Sequence, residues 1–157
     1  MEKGYTEGTI LKLITGTVDR ERVYDQNIVF KLQNCMNLEL FDYNMLITPD
    51  MICHKNKIKI KMLDSNFPEK YRRKKNPMQE KRITYNEGYD IYGEVIDKTV
   101  VKINESTRQE DCKVDFGMGH MILTTEVGEF VIGDFIYVHA SRLDVVGVIN
   151  IPLLKTP

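Results

Sequence analysis

The sequence predicts an all-β protein built on a small closed barrel, and three observations carry that expectation. Apolar residues alternate along short runs, most clearly Cys112, Val114 and Phe116 with Lys113 and Asp115 between them, as on a strand with one buried face. Gly117 and Gly119 then interrupt that run as a sharp bend or bulge does, and Gly133-Asp134 marks a tight turn into another strand. Helical periodicity is nowhere sustained. Short, strongly curved strands broken by glycines are the material of a small barrel.

Taken in order, residues 1–8 read as a loose lead-in, and Thr9–Val18 as a first strand that Gly16 allows to bend. Asp19–Arg22 is a charged turn. Asp25–Asn27 turns into Ile28–Leu32, where Ile28, Phe30 and Leu32 share a face. The run Met36–Leu40 alternates again and extends through Phe41-Asp42-Tyr43, with a slip of apolar phase near Leu40-Phe41 that predicts a bulge or a strand end. Thr48-Pro49-Asp50 is a helix-start signal with nothing helical after it, so it predicts a single turn. Lys55–Met62 sets lysines on one face and Ile58, Ile60 and Met62 on the other. Residues 64–86, with Pro68, Pro77 and the basic run Lys70–Lys75, show no periodicity and predict a long exposed loop. Beyond it, Tyr89–Val95 and Thr99–Ile103 are strands joined to the central run by the polar stretch Asn104–Asp111. Phe135–Val138 and Leu143–Ile149 follow, and Asn150-Ile151-Pro152 ends the last strand.

These elements predict one domain over residues 1–157: an oligonucleotide-binding (OB) type closed barrel of about eight short strands. Its pseudo-symmetric halves, 9–63 and 87–150, are joined by the long basic mid-chain loop 64–86.

Composition narrows the classes. A chain of 157 residues with 42% hydrophobic and 29% charged residues can bury a core without staples, and it holds no run of 18 apolar residues. The polar N-terminus lacks a signal-peptide core, so an intracellular, soluble protein is the expectation. Cys35, Cys53 and Cys112 are odd in number and far apart, which suits free thiols rather than a disulfide framework or a metal pair. Charge is lopsided: Lys55–Arg82 holds 11 basic against 3 acidic residues, and the remainder 11 against 20. A basic middle in an acidic body can orient a protein or nucleic-acid partner.

No catalytic constellation stands out. His54, His120 and His139 are isolated, and Asp90, Asp97, Asp115, Asp134 and Asp144 each suit a turn or an outward strand position. Gly117-Met118-Gly119 does not open a helix, so it is no dinucleotide loop. No catalytic, metal or cofactor site is expected. Two basic features remain open to a nucleic acid or an acidic partner. One is the row Lys57, Lys59 and Lys61, which reads equally as a protected edge strand. The other is Lys70, Tyr71, Arg72, Arg73, Lys74 and Lys75, which reads equally as a solvated loop.

Two stretches carry a family resemblance. Tyr89-Asp90-Ile91-Tyr92-Gly93-Glu94-Val95 and Val114-Asp115-Phe116-Gly117-Met118-Gly119-His120-Met121-Ile122-Leu123 resemble the small subunit counted eighth in nuclear RNA polymerases, a family with an archaeal relative. That family pairs a tyrosine-rich strand ending in Tyr-Gly with a strand ending in aromatic-glycine-glycine and a methionine-bearing apolar run. Phe135–Val138, Asn37–Tyr43 and Lys57–Met62 are similar to its other strands in order and spacing. This chain differs in separating the two glycines, in its basic mid-chain loop and in its tail beyond Val138. The resemblance implies an OB-type barrel and a noncatalytic structural subunit of a DNA-directed RNA polymerase, docked on the largest subunit. It also implies a place in transcription, in the nucleus of a eukaryote or the cytoplasm of an archaeon. The partners it implies are the large polymerase subunits, with neither a membrane nor an obligate homo-oligomer. Tyr89, Tyr92, Gly93, Phe116, Gly117, Gly119 and Met121 then have structural roles. A second resemblance, of Gly93–Val101 to the opening of the RNA-binding barrel in the polymerase stalk subunit, keeps an alternative open. In that alternative the chain is a free-standing OB-fold protein that binds single-stranded nucleic acid through the basic strand and loop.

Overall fold

Five strands close into a ring, and the order of those strands identifies the barrel. The computed structural model describes residues 4–64 and 73–150. In chain order the strands are β1 (Thr6–Thr15), the two-residue β2 (Val18–Asp19) and β3 (Arg22–Val23), β4 (Gln26–Lys31), β5 (Asn37–Asp42) and β6 (Lys55–Leu63). Then come β7 (Arg73–Lys75), β8 (Arg82–Tyr85), β9 (Tyr89–Lys102), β10 (Arg108–Asp115), β11 (His120–Glu126), β12 (Phe135–Ala140) and β13 (Arg142–Asn150). Around the ring run β1, β4, β5, β13 and β6, with β6 returning to β1. Counting only ring strands, that order is first, second, third, fifth, fourth, and the third and fifth meet in parallel at Phe41 and Asp144. This is the Greek-key closure of an OB-type barrel.

Residues 64–141 are therefore an insertion between the fourth and fifth barrel strands. Within it β9 is central: β10 flanks its second half, and β8 and β12 flank its first half on opposite sides. β11 continues from β10 and touches β6 at Ile122 and Lys61, so the inserted sheet grows out of the barrel wall. One apolar cluster spans both parts. Ile10, Ile28, Phe30, Leu40, Ile58 and Ile60 fill the barrel, and Ile91, Val95, Val114, Phe116, Met121 and Val138 lie under the inserted sheet; all are 0% exposed.

The structure departs from the sequence reading at definite places. The lead-in is not loose from Gly4 onward: the Gly4 N–H donates to His120 Nδ1 at 3.0 Å, and Thr6 opens β1. Tyr89–Val95 and the run from Thr99 to Lys102 belong to one strand, β9, which stops short of Ile103 and carries a register shift opposite Lys113/Val114 instead of a break. Gly117-Met118-Gly119 does not bend a strand but reverses it, because Asp115 faces His120 across a hairpin. The last strand, grouped in sequence with the second half, completes the ring begun by the first half and pairs along β6. Part of the span read as a long loop is strand, β7 and β8; residues 65–72 of it, and the stop at Ile151-Pro152, lie outside the described residues. The single turn at Pro49–Met51 forms as read, with the Thr48 hydroxyl hydrogen-bonded to the Asp50 carboxylate rather than capping the backbone.

The phase slip at Leu40-Phe41 has a physical cause. Alternation does not slip: Leu38, Leu40 and Asp42 all point inward, and Phe41 points out. Asp42 is 0% exposed, so a carboxylate occupies a core position. Gln26 Nε2 donates to it at 2.8 Å, and the Leu46 and Ile47 backbone N–H groups each donate at 2.9 Å. Together they satisfy a charge that would otherwise be expelled from the barrel. Replacing Asp42 with Ala leaves the Leu46 and Ile47 N–H groups without that acceptor and the Gln26 amide with only the Ile47 carbonyl, so Asp42→Ala lowers unfolding free energy by about 3 kcal/mol. Denaturant unfolding of the two proteins measures it; a loss below about 0.5 kcal/mol would show the network to be dispensable.

Candidate docking surface

The residues of the polymerase-like motifs divide into those the fold consumes and those it presents. Phe116 and Met121 are wholly buried, and Tyr89 is nearly so, with its hydroxyl accepting the Glu39 N–H at 2.9 Å. Gly93 is required by close approach: a Cβ there would lie 2.5 Å from the Asp115 carbonyl oxygen, where β9 and β10 cross. Gly119, at φ +155, has the Thr6 side chain 2.6 Å from where a Cβ would stand, and the Thr6 hydroxyl donates to the His120 carbonyl at 2.7 Å. Gly117 adopts φ +95 in the same turn. Gly119 thus lets the N-terminal strand lie against the β10–β11 hairpin. Tyr92 alone of the set points outward.

On that outer face the cross-strand register builds a row of four side chains. Arg82 on β8 opposes Tyr92 on β9, Tyr92 opposes Tyr137 on β12, and Tyr137 opposes Lys74 on β7. The Arg82 guanidinium sits 3.9 Å from the centre of the Tyr92 ring, the two tyrosine rings are 5.1 Å apart, and Lys74 Nζ is 5.7 Å from the Tyr137 ring. Cation–π contacts and aromatic pairing hold all four in place, so the row is a preformed plate.

The next row is polar. Asp90 accepts hydrogen bonds from the Tyr137 hydroxyl at 2.7 Å and from Asn86 Nδ2 at 2.9 Å, and pairs with His139 Nδ1 at 2.9 Å. Burial pushes the Asp90 carboxyl up, but the bonds from Tyr137, His139 and Asn86 outweigh it and hold its pKa below the ordinary value. Burial, then the bond to Asp90, pushes the Tyr137 phenol well above its ordinary range.

The basic residues singled out in the sequence scatter. Arg73 is buried, bidentate on Glu129 at 2.7 and 2.8 Å, with Nη1 on Asp64 at 3.1 Å and on the Thr124 carbonyl at 3.2 Å. It is a structural ion pair and presents nothing to an anion. Lys74 joins the aromatic row, and Lys75 lies 3.6 Å from Asp134. Lys70, Tyr71 and Arg72 lie outside the described residues. Lys57, Lys59 and Lys61 do form one half-buried outward row, but β6 is not an edge. It pairs with β13 on one side and with β1 and β11 on the other, which removes the edge-protection reading. Lys57 stands opposite Glu7 and Lys61 opposite Asp144, so carboxylates sit at both ends of the row. Among the described residues no group of three or more His, Cys, Asp or Glu side chains could hold a metal ion. Among those residues, too, no helix is long and apolar enough to cross a membrane.

Arg82, Tyr137, Asp90 and His139 were not legible as a site in the sequence. The available signal is faint: Asp90, Tyr92 and Glu94 share one phase of β9, and Phe135, Tyr137 and His139 share one phase of β12.

Two measurements check this account. Arg73→Met strands the Glu129 and Asp64 carboxylates, so it destabilises by about 3 kcal/mol, whereas Lys75→Ala stays within about 0.5 kcal/mol. Because the folded Asp90 carboxyl binds its proton less readily than the unfolded one, its contribution to stability is present above the ordinary carboxylate pKa of about 3.9. It is lost as pH falls through the lower folded value. Denaturation midpoints of the native protein therefore fall with acidification below about pH 5, and Asp90→Asn flattens that limb.

Compared with models of known protein families and with curated proteins, the chain matches none.

Proposed function

We propose that the chain is a noncatalytic structural subunit of a DNA-directed RNA polymerase, docking on a large subunit through the outer face of the inserted sheet. The observation that carries the reading is the Arg82–Tyr92–Tyr137–Lys74 row, whose Tyr92 on β9 is the tyrosine of the Tyr92-Gly93 motif of the resemblance. Tyrosine and arginine are the residues that dominate the binding energy of protein interfaces, and a preformed plate of them loses little entropy on docking.

Charge favours a protein over a polyanion on this face. Lys81 reaches Asp115 at 2.9 Å and Glu94 at 3.4 Å, Arg82 lies 3.6 Å from Glu80, and Asp90 adds a further carboxylate beside the tyrosines. A surface of interspersed signs matches another such surface and repels a uniform phosphate backbone. The alternative, a free-standing single-strand binder gripping phosphates through the basic strand and loop, draws less support, since Arg73 is buried and carboxylates flank the Lys57–Lys61 row.

The test is affinity purification of the tagged chain from its native cell after nuclease treatment, with mass spectrometry of what stays bound. Near-equal recovery of the large polymerase subunits is expected, and Arg82→Glu with Lys74→Glu, both exposed positions, lowers that recovery at least about tenfold. Recovery of the chain alone overturns the assembly reading. Undiminished recovery with the double variant overturns the choice of surface.

A further inference from the structure

The second half of β9 is paired on one side alone. β10 runs beside it from Glu94 to Lys102, while on the opposite side β12 stops at Phe135, against Glu94. Gly133 and Asp134 extend that side by one residue. The Gly133 N–H donates to the Val95 carbonyl and the Val95 N–H to the Asp134 carbonyl, both at 2.8 Å. Beyond Val95, no strand among the described residues continues it.

The register shift in β9 fixes which backbone groups face that open side. Val95 stands opposite Val114 and Asp97 opposite Lys113, so Ile96 is an extra residue and the phase of the ladder reverses across it. The Ile103 N–H donates to the Thr107 carbonyl at 2.9 Å, toward β10. Alternation then turns Thr99 and Val101 toward β10 as well, and directs the N–H and C=O groups of Lys98, Val100 and Lys102 outward. Asp97 Oδ1 takes the Lys98 N–H at 2.9 Å. The N–H groups of Val100 and Lys102, and the outward carbonyls, have no partner among the described residues.

Apolar side chains flank this edge. Val100 is 52% exposed. The segment running back along β9 touches Lys98 Nζ through the Phe130 carbonyl and Val95 through Gly133. Between those two contacts, Val131 and Ile132 are 55% and 59% exposed. The outer sides of β7 and β8 are also unpaired among the described residues, but these strands are only three and four residues long, and short edges recruit poorly.

We infer that the outer edge of β9 from Lys98 to Lys102 receives an extended segment of another protein, added as a strand, with an apolar residue against Val100 and an acidic residue against Lys102. Free donors and acceptors at strand spacing select an extended polypeptide, because another strand repeats that spacing. Charge selects its sequence. Lys98 is committed to Glu110 at 3.3 Å and to the Phe130 carbonyl at 2.9 Å. Lys102 has only Glu105, 3.8 Å away and 99% exposed, so Lys102 is the cation left for an incoming carboxylate. A second copy of this chain fits poorly, since setting Val100 against its counterpart places Lys98 opposite Lys102 on both sides. The edge lies on the other half of β9 from Tyr92 and does not rest on the polymerase reading.

The experiment is amide hydrogen exchange, resolved by residue with NMR, on the purified full chain alone and with a short capped synthetic peptide. The peptide reads glutamate, threonine, valine, threonine, glutamate. In the free chain the Val100 and Lys102 amides exchange at least about tenfold faster than those of Thr99 and Val101. Equal protection of the two pairs overturns the open edge. Saturating peptide slows Val100 and Lys102 at least about tenfold and leaves Thr99 and Val101 unchanged. Proline in place of the peptide's valine abolishes the effect, because it removes a ladder hydrogen bond. Lys102→Glu, at an exposed position, weakens the acidic peptide about threefold and strengthens one carrying lysine instead of glutamate. No slowing up to about 1 mM peptide, the weak end of specific association, overturns the inference, as does equal slowing by the proline peptide. Undiminished binding by Lys102→Glu overturns the acidic partner. Protection of Val100 and Lys102 that rises with protein concentration in the absence of peptide overturns the foreign segment in favour of a second copy.

Discussion

The structure depends on β6. Ile58, Ile60 and Met62 point from it into the barrel, and its backbone is engaged by three strands, β1, β13 and β11. The first two pairings close the ring and the third anchors the inserted sheet. With partners on both sides β6 has no open edge, so its backbone groups are satisfied without recruiting another chain. The same closure explains Asp42, since a carboxylate at a core position is tolerable only where turn N–H groups and Gln26 converge on it. It also explains the N-terminal contacts to His120, which bind the first barrel strand to the hairpin that leaves the barrel wall.

The uneven charge of the chain finds its counterpart in the fold. The basic residues between Lys55 and Arg82 meet carboxylates that the sequence places far away: Arg73 meets Glu129, Lys75 meets Asp134 and Lys81 meets Asp115. Lys57 and Lys61 stand opposite Glu7 and Asp144. A basic middle in an acidic body is thus matched by carboxylates within the insertion and within the barrel. For the described residues, it is less a handle for a polyanion. Buried pairs such as Arg73–Glu129 specify geometry more than they add stability, because desolvation offsets much of their attraction.

The docking proposed for this chain draws on one aromatic row. The row Arg82–Tyr92–Tyr137–Lys74 is broad, preorganised and mixed in charge, the chemistry of a protein interface. The Phe41–Tyr85 cleft is narrow and leaves one ring uncovered.

By itself the sequence determined the class of the fold and most of its strands, because alternation of apolar residues is a local property of a pleated chain. It also marked the glycines at positions 93, 117 and 119 as special. It misread Leu40–Asp42 as a phase slip, since a core carboxylate looks like an outward residue until its donors are known. It took Gly117–Gly119 for a bend, since both a bend and a hairpin ask for glycine. It counted Arg73 among exposed cations, although a basic run does not say which member turns inward. Only the tertiary structure decided that β13 closes the barrel, that β6 has no free edge, and that Arg82, Tyr92, Tyr137 and Lys74 stand in one row. Those facts are registers between strands distant in sequence. A register is set by the whole set of pairings at once, and no single stretch of sequence contains it.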